Sequence, residues 1–313
     1  MRIGFIATVL NEEKAITAFL NSLLNQSQLP FEIIIVDGGS KDETLNVLKD
    51  YKKLFAKKSK KILYKIIVKN GNRSVGRNYA IRQTKADVVV ASDAGCILKK
   101  DWIAQITKAF EKKGVDVIAG FYKPITKNAF EQCLSTYTCV MEDKVTNNFL
   151  PSSRSVAFRK SAWEKVKGYP EDLDTCEDLV FARNMRRKEL KFSVNKKAIV
   201  YWQQKKNILE ACIQFYSYAK GDGRAGYIRR QTPLLYLRFG IGLILLFYLL
   251  VTKNILLFFT TTTLFLLYAA WAVFKNYRYV NNLKALFYLP LLQIVSDFAV
   301  VIGMTIGFIS RFT

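Results

Sequence analysis

Phe31-Glu32-Ile33-Ile34-Ile35-Val36 runs straight into Asp37-Gly38-Gly39-Ser40-Lys41-Asp42-Glu43-Thr44. Six almost unbroken apolar residues, rich in β-branched side chains, mark a strand buried on both faces, as in a parallel sheet. Two glycines then permit a tight turn, and Ser40 or Asp42 can cap a helix from about Thr44 to Phe55. The stretch is a βα unit, and the alternation continues on both sides of it. Upstream, Ile3–Val9 reads as a buried strand rather than a signal peptide, since its short apolar run ends in Asn11-Glu12-Glu13 without a small-residue cleavage site. Ala15–Leu24 then sets Ile16, Phe19, Leu20, Leu23 and Leu24 on one helical face. Downstream, strands are expected at Ile62–Val68, Asp87–Ala91 and Val115–Phe121, with helices at Ser74–Gln83 and Asp101–Lys112. The fold class is therefore α/β, a mostly parallel mixed sheet with flanking helices. Ligands of such sheets sit at the carboxyl ends of strands, and here those ends carry Asn11 and Glu12, Asp37, and Asp93.

The chemistry available is bounded by what is missing. The 313 residues contain no histidine. That excludes a His general base, a Ser-His-Asp triad and every His-ligated metal site, so proton transfer near neutral pH falls to a carboxylate or a less usual group. Five cysteines without a C-x-x-C pair suit reduced thiols rather than a disulfide frame or zinc site.

From Pro233 onward the composition changes. Three spans are expected, 233–252, 254–274 and 285–310. Arg238 lies near enough to one end to snorkel, and Asp297, in mid-span, should face other helices or water. Residues 233–313 hold six Lys/Arg and one acid, which leaves 42 basic and 24 acidic residues, +18 of the total +23, on the first 232. Such an excess suits an anionic partner or a lysine-rich surface. The basic domain and the Lys275-Asn276-Tyr277-Arg278 loop both belong on the cytoplasmic side of the cell membrane.

Three segments can carry chemistry. Asp37 can accept hydrogen bonds from a base or ribose, although the same turn could be only a well-capped loop. Arg73 and Arg77, at i and i+4 around a helix start, can meet an anion from one side, or form a solvated basic face. Asp93, at a strand end, can hold a hard divalent cation.

Together these segments resemble the family 2 glycosyltransferases of the GT-A fold. The resemblance runs through Thr8-Val9-Leu10-Asn11-Glu12, Val36–Thr44, Gly76-Arg77-Asn78, Asp93-Ala94-Gly95 and Glu177-Asp178, over roughly residues 1–215. It implies a transferase domain at 1–215, an interfacial junction at 216–232 and a membrane domain at 233–313. It also implies donor binding by Thr8, Leu10, Glu12, Asp37, Ser40, Arg73, Arg77 and Asp93. The cofactor would be Mg²⁺ or Mn²⁺ at Asp93, and Asp178 the base supported by Glu177, in an inverting displacement on a nucleotide sugar. One departure stands out. Where the family usually reads Asp-x-Asp, this chain reads Asp93-Ala94-Gly95 and loses the second carboxylate. A single ligand with diphosphate oxygens and water would suit Mg²⁺. Glu177-Asp178 could also be a pair favoured by a helix N-terminus.

Arg154, in Pro151-Ser152-Ser153-Arg154-Ser155, is expected to meet an anionic acceptor. Gly221-Asp222-Gly223-Arg224-Ala225-Gly226 matches G-x-G-x-x-G but follows a helix-like segment, which argues against a dinucleotide site and for a flexible junction. Tyr201-Trp202-Gln203-Gln204 does not reproduce the Gln-x-x-Arg-Trp signature of processive synthases. The acceptor is expected to be a hydroxyl of a lipid-linked or cell-envelope glycan. A polyprenyl phosphate and a catalytically inactive nucleotide-sugar-binding membrane protein are the alternatives. No nucleic-acid partner is expected, because one would leave the strand-end acids and the spans unexplained.

Overall fold

The computed structural model describes residues 1–111 and 114–312. The chain divides into two compact units. The first is Met1–Ile125 with Val140–Gln203, and the second is Thr126–Cys139 with Gln204–Thr313.

The first unit is built on β1 (Ile3–Val9), α1 (Ile16–Leu24), β2 (Glu32–Asp37), α2 (Thr44–Lys58), β3 (Leu63–Val68), α3 (Arg73–Gln83), β4 (Val88–Ala91), β5 (Cys96–Leu98), α4 (Trp102–Thr107) and β6 (Val117–Ile125). The second unit contributes α5 (Ala129–Thr138), and the first resumes with β7 (Val156–Arg159), α6 (Lys160–Lys165), α7 (Glu177–Arg187) and β8 (Phe192–Gln203). The helix expected at Asp101–Lys112 is α4 followed by a 3₁₀ turn at Lys108–Glu111, with Lys112 outside the described residues.

The strands form one eight-stranded mixed sheet in the order β3-β2-β1-β4-β7-β6-β8-β5. β3, β2, β1 and β4 run parallel, with Thr8 opposite Val36 and Val9 opposite Asp37. β7 pairs antiparallel with β4 and with β6, β5 antiparallel with β8, and β6 parallel with β8. Ile33, Ile34, Ile35 and Val36 are fully buried, as a strand covered by helices on both faces requires. Ile6, Ile34, Val36, Val89, Phe158, Phe181 and Met185 belong to one core cluster.

The second unit continues with α8 (Ile208–Arg224), α9 (Thr232–Thr252), α10 (Ile255–Val280) and α11 (Ala285–Ile309). The last three are long and apolar enough to cross a membrane. α10 extends through Lys275-Asn276-Tyr277-Arg278 to Val280, so the loop expected there is helical. Gly221-Asp222-Gly223 is also helical and buried, in the last turn of α8, instead of forming a flexible junction. The reason is close packing of α8 on α11: a Cβ on Gly307 would come within 2.1 Å of the Lys220 carbonyl oxygen. The second unit resumes at Gln204, with α8 packed on α11. The Arg238 guanidinium pairs with Asp297, which also accepts from the Tyr268 hydroxyl and, at 2.9 Å, from the Gln293 amide.

Candidate active site

The carboxyl ends of β1, β2 and β4 gather the expected residues through local hydrogen bonding. Asp37, buried at the end of β2, closes its own turn: Oδ1 accepts the N–H groups of Gly39 at 2.8 Å and Ser40 at 2.7 Å. Gly39 sits at φ +98°, and a Cβ there would lie 2.5 Å from Asn70 Oδ1, so only glycine serves. The Asp37 Oδ2 atom is buried without a hydrogen-bond partner among the described residues. Ser40 Oγ accepts the Asn11 N–H at 2.9 Å, Asn11 Oδ1 accepts the Lys41 N–H at 2.9 Å, and Thr44 Oγ1 accepts the Glu12 N–H at 2.8 Å. These bonds lock the loop after β1 onto the loop after β2. Thr8 is half-buried beneath Gly76 of α3, and Leu10, exposed, lies over Gly38.

Asn72 caps α3 by accepting the Val75 N–H at 3.1 Å. Arg73 follows on the exposed side, and Arg77 one turn later is buried at 3% exposure. The Arg77 fork reaches two carboxylates at once, Nη1 to Glu177 and Nη2 to Asp93, each at 2.8 Å. Its carbon lies 5.3 Å from the centre of the Tyr169 ring. Burial alone would lower the Arg77 pKa, but Asp93 and Glu177 outweigh it and hold the guanidinium charged. Burial pushes Asp93 up; Arg77, then Arg154 and Arg73, outweigh it and hold this carboxyl below the usual range. Glu177 moves the other way. Its burial dominates over Arg77, and neighbouring Asp178 adds to the rise.

Cys176, at φ +68°, turns the chain so that Glu177 and Asp178 open α7. Two acids thus stand in the first turn of a helix of 11 residues, where the helix N-terminus favours negative charge. Asp178 Oδ2 accepts the Ser153 N–H at 3.2 Å, and Oδ1 accepts the Leu179 N–H at 2.7 Å. Arg154, beside Ser153, stacks with its carbon 4.0 Å from the Trp202 ring centre and 5.6 Å from that of Tyr122, and its Nη1 donates to Ser152 Oγ at 3.2 Å. Tyr169, Tyr122 and Trp202 escaped the sequence reading. The aromatic end of β8 was the one signal for Trp202, and nothing local points to Tyr169.

The expected metal position can be tested by its donors. Asp93 Oδ1 is taken by Arg77, and Ala94 and Gly95 supply no side-chain oxygen. Among the described residues, no three Asp, Glu or Cys side chains converge in a way that could hold a metal ion. A divalent cation here would take one carboxylate from the chain, Asp93, and the rest of its ligands from diphosphate oxygens and water.

A strand-end acid, a buried arginine bridging two carboxylates and a helix-opening Glu-Asp pair thus meet in the first unit, as in a candidate transferase site of GT-A architecture. The sequence matches glycosyl transferase family 2 over residues 5–161, and the chain belongs to that family. It is 28% identical over 192 residues to the poly(ribitol-phosphate) β-N-acetylglucosaminyltransferase TarP of Staphylococcus aureus, covering 58% of this chain and 56% of the relative. It is 25% identical over 213 residues to the O-antigen chain rhamnosyltransferase RfbN of Salmonella typhimurium, covering 64% of this chain and 66% of the relative. The chain thus spans less than two thirds of either relative's length. Among solved structures, the mannosyltransferase PcManGT of Pyrobaculum calidifontis, in complex with GDP-Man and Mn²⁺, superposes with a TM-score of 0.62 at 16% identity, covering 96% of this chain and 87% of that one. At that identity the likeness concerns the fold.

Proposed function

We propose that the protein is an inverting, membrane-associated glycosyltransferase that moves a sugar from a nucleotide-diphosphate sugar to a hydroxyl of a lipid-linked or cell-envelope glycan. The observation that carries this reading is the line Asp93–Arg77–Glu177, which runs from the strand end where a diphosphate would lie to the start of α7, where Asp178 stands. The poly(ribitol-phosphate) in the name of TarP, the O-antigen chain in that of RfbN and the GDP-Man in the PcManGT complex support transfer from a nucleotide sugar to a cell-envelope polymer.

Each residue then has a task. The unpartnered Asp37 Oδ2 accepts from the base or ribose, and Thr8, Leu10, Glu12 and Ser40 shape the nucleotide cleft. Asp178, kept in place by the N–H groups of Ser153 and Leu179, takes the proton of the acceptor hydroxyl. The hydroxyl oxygen bonds to the anomeric carbon as the bond to the diphosphate oxygen breaks. The bonding pair leaves on the diphosphate, so configuration inverts. Glu177 holds Arg77, which holds Asp93. A polyprenyl phosphate, already ionised, would need no such base, which favours a hydroxyl acceptor. Asp93 would hold the Mg²⁺ or Mn²⁺ implied by the resemblance together with diphosphate oxygens and water, and such a cation would neutralise charge on the leaving diphosphate. Three helices long and apolar enough to cross a membrane support a membrane association, and the charge rule favours the cytoplasmic side for the transferase unit.

The test is a panel of UDP- and GDP-sugars, incubated with the full chain and membranes carrying acceptor glycans. Release of nucleoside diphosphate with sugar appearing on a membrane glycan is expected from one donor. Donor binding without turnover in the presence of every acceptor fraction would favour the inactive binding protein instead.

A further inference from the structure

The starts of α8 and α11 both turn apolar side chains outward. Leu209 is 68% exposed, and Ile213, one turn further along the same face of α8, is 56% exposed. Leu283, just before α11, is 77% exposed, and Leu286 and Phe287 in its first turn are exposed as well. α8 is not among the three helices long and apolar enough to cross a membrane, so its outward apolar face suits a helix lying along an interface. The two helix starts flank one open cavity of about 490 Å³, within the size range of ligand sites.

Lys206, Ile208, Phe130, Lys284, Tyr288 and Leu291 line the cavity, which joins an apolar wall to two cations. Phe130 belongs to a core cluster of this unit, with Ile208 and Tyr288 packed against it. Asn128 and Asn207 also border the cavity, but each caps a helix, accepting the N–H of Glu131 and of Glu210 at 2.9 Å. The two glutamates are engaged in the same caps: Glu131 Oε2 accepts the Lys127 N–H at 2.6 Å, and Glu210 Oε2 the Lys206 N–H at 3.3 Å. Lys206 and Lys284 remain. Each donates its backbone N–H, Lys284 to Asn282 Oδ1 at 2.9 Å, while neither ammonium group has an ion pair or hydrogen bond among the described residues.

We propose that this cavity receives the headgroup of an anionic membrane lipid, its phosphate paired with Lys206 and Lys284 and its acyl chains against the exposed apolar side chains beside them. Only an amphipathic anion meets both halves of the surface. A soluble phosphate would use the lysines and leave Leu209, Leu283 and Phe287 in water. An uncharged lipid would cover those side chains and leave two ammonium groups without a counter-charge. The inference rests on the membrane reading of the chain, and not on the sugar, the acceptor or the base. By the charge rule the turn between α10 and α11 faces the cytoplasm, where anionic lipids give the membrane a negative surface potential.

The test is native mass spectrometry of the full chain released from uncharged micelles holding phosphatidylglycerol or phosphatidylcholine, with the apparent Kd of the first retained lipid as readout. Phosphatidylglycerol is expected to bind at least about tenfold tighter than phosphatidylcholine. Lys206→Gln and Lys284→Gln should each weaken phosphatidylglycerol about fivefold, and together about 25-fold, with phosphatidylcholine unchanged. Both lysines are exposed, so these variants should unfold at the wild-type temperature. The double variant Lys57→Gln/Lys58→Gln removes the same charge from the last turn of α2 and should bind phosphatidylglycerol normally. A loss in that control as large as in Lys206→Gln/Lys284→Gln would overturn the inference, because net charge and not the cavity would be responsible. Equal retention of the two lipids by the wild type would overturn it too. So would displacement of phosphatidylglycerol by millimolar inorganic phosphate, which would mark a site for a free anion. Retention of neither lipid would overturn the membrane reading and the inference together, and nucleoside-diphosphate release would still judge the nucleotide-sugar reading by itself.

Discussion

The two units each bury an acidic side chain against an arginine, and they do it in opposite ways. In the first, one guanidinium serves two carboxylates, Glu177 and Asp93, with Asp178 adjacent. In the second, one carboxylate, Asp297, receives three donors from Arg238, Tyr268 and Gln293. The first arrangement is under-supplied with donors: Asp93 is 29% exposed, and Glu177 is pushed above its ordinary value by its own burial. The second is saturated. A site that must meet a substrate leaves polar capacity in reserve, whereas polar contacts that join long apolar helices satisfy one another.

Substitutions should separate the two cases. The largest stability effect is expected from Arg77→Leu, which strands Glu177 and Asp93 together; chemical denaturation of the first unit should show a loss of about 3–5 kcal/mol. A loss below about 1 kcal/mol would mean that the bridging fork is not what holds α3 to α7. Next is Asp297→Ala, which leaves Arg238 among apolar helices and should cost about 1–3 kcal/mol in thermal unfolding from micelles, without changing the nucleotide affinity. A change in nucleotide affinity would contradict the division between the clusters. Gly307→Ala should cost about 1–3 kcal/mol, because the new methyl meets the Lys220 carbonyl and α8 must move away from α11. The smallest effect is Ser40→Ala, about 0.5–1.5 kcal/mol, read as faster hydrogen exchange at Asn11, whose N–H loses its acceptor.

Sequence patterns disclosed the parallel half of the sheet well. β1 was placed at its observed bounds, and β2 and β3 to within a residue at either end, because buried parallel strands are continuous apolar runs ended by turn residues. The antiparallel half was less visible. β8 mixes buried and exposed positions over Phe192–Gln203, and β5 and β7 span only three and four residues. Among site residues, Asp37, Arg77 and Asp93 could be nominated by their places at strand and helix ends, and Glu177 by the family resemblance. Their union could not, since Arg77 and Glu177 lie 100 positions apart in sequence. The same distance problem hid the partner of Asp297, 59 positions from Arg238. The glycines of α8 looked like a hinge for a related reason: only the neighbouring helix explains them.

The proposed chemistry depends most on Asp178 as the base. The direct measurement is a single-turnover transfer experiment with Asp178→Asn, paired with the donor Kd of the same protein. Asparagine keeps an oxygen for the Ser153 or Leu179 N–H, so the donor Kd should stay within about threefold while the transfer rate falls by about 10²–10⁴. An Asp178→Asn protein that binds the donor and transfers sugar at the wild-type rate would contradict the account.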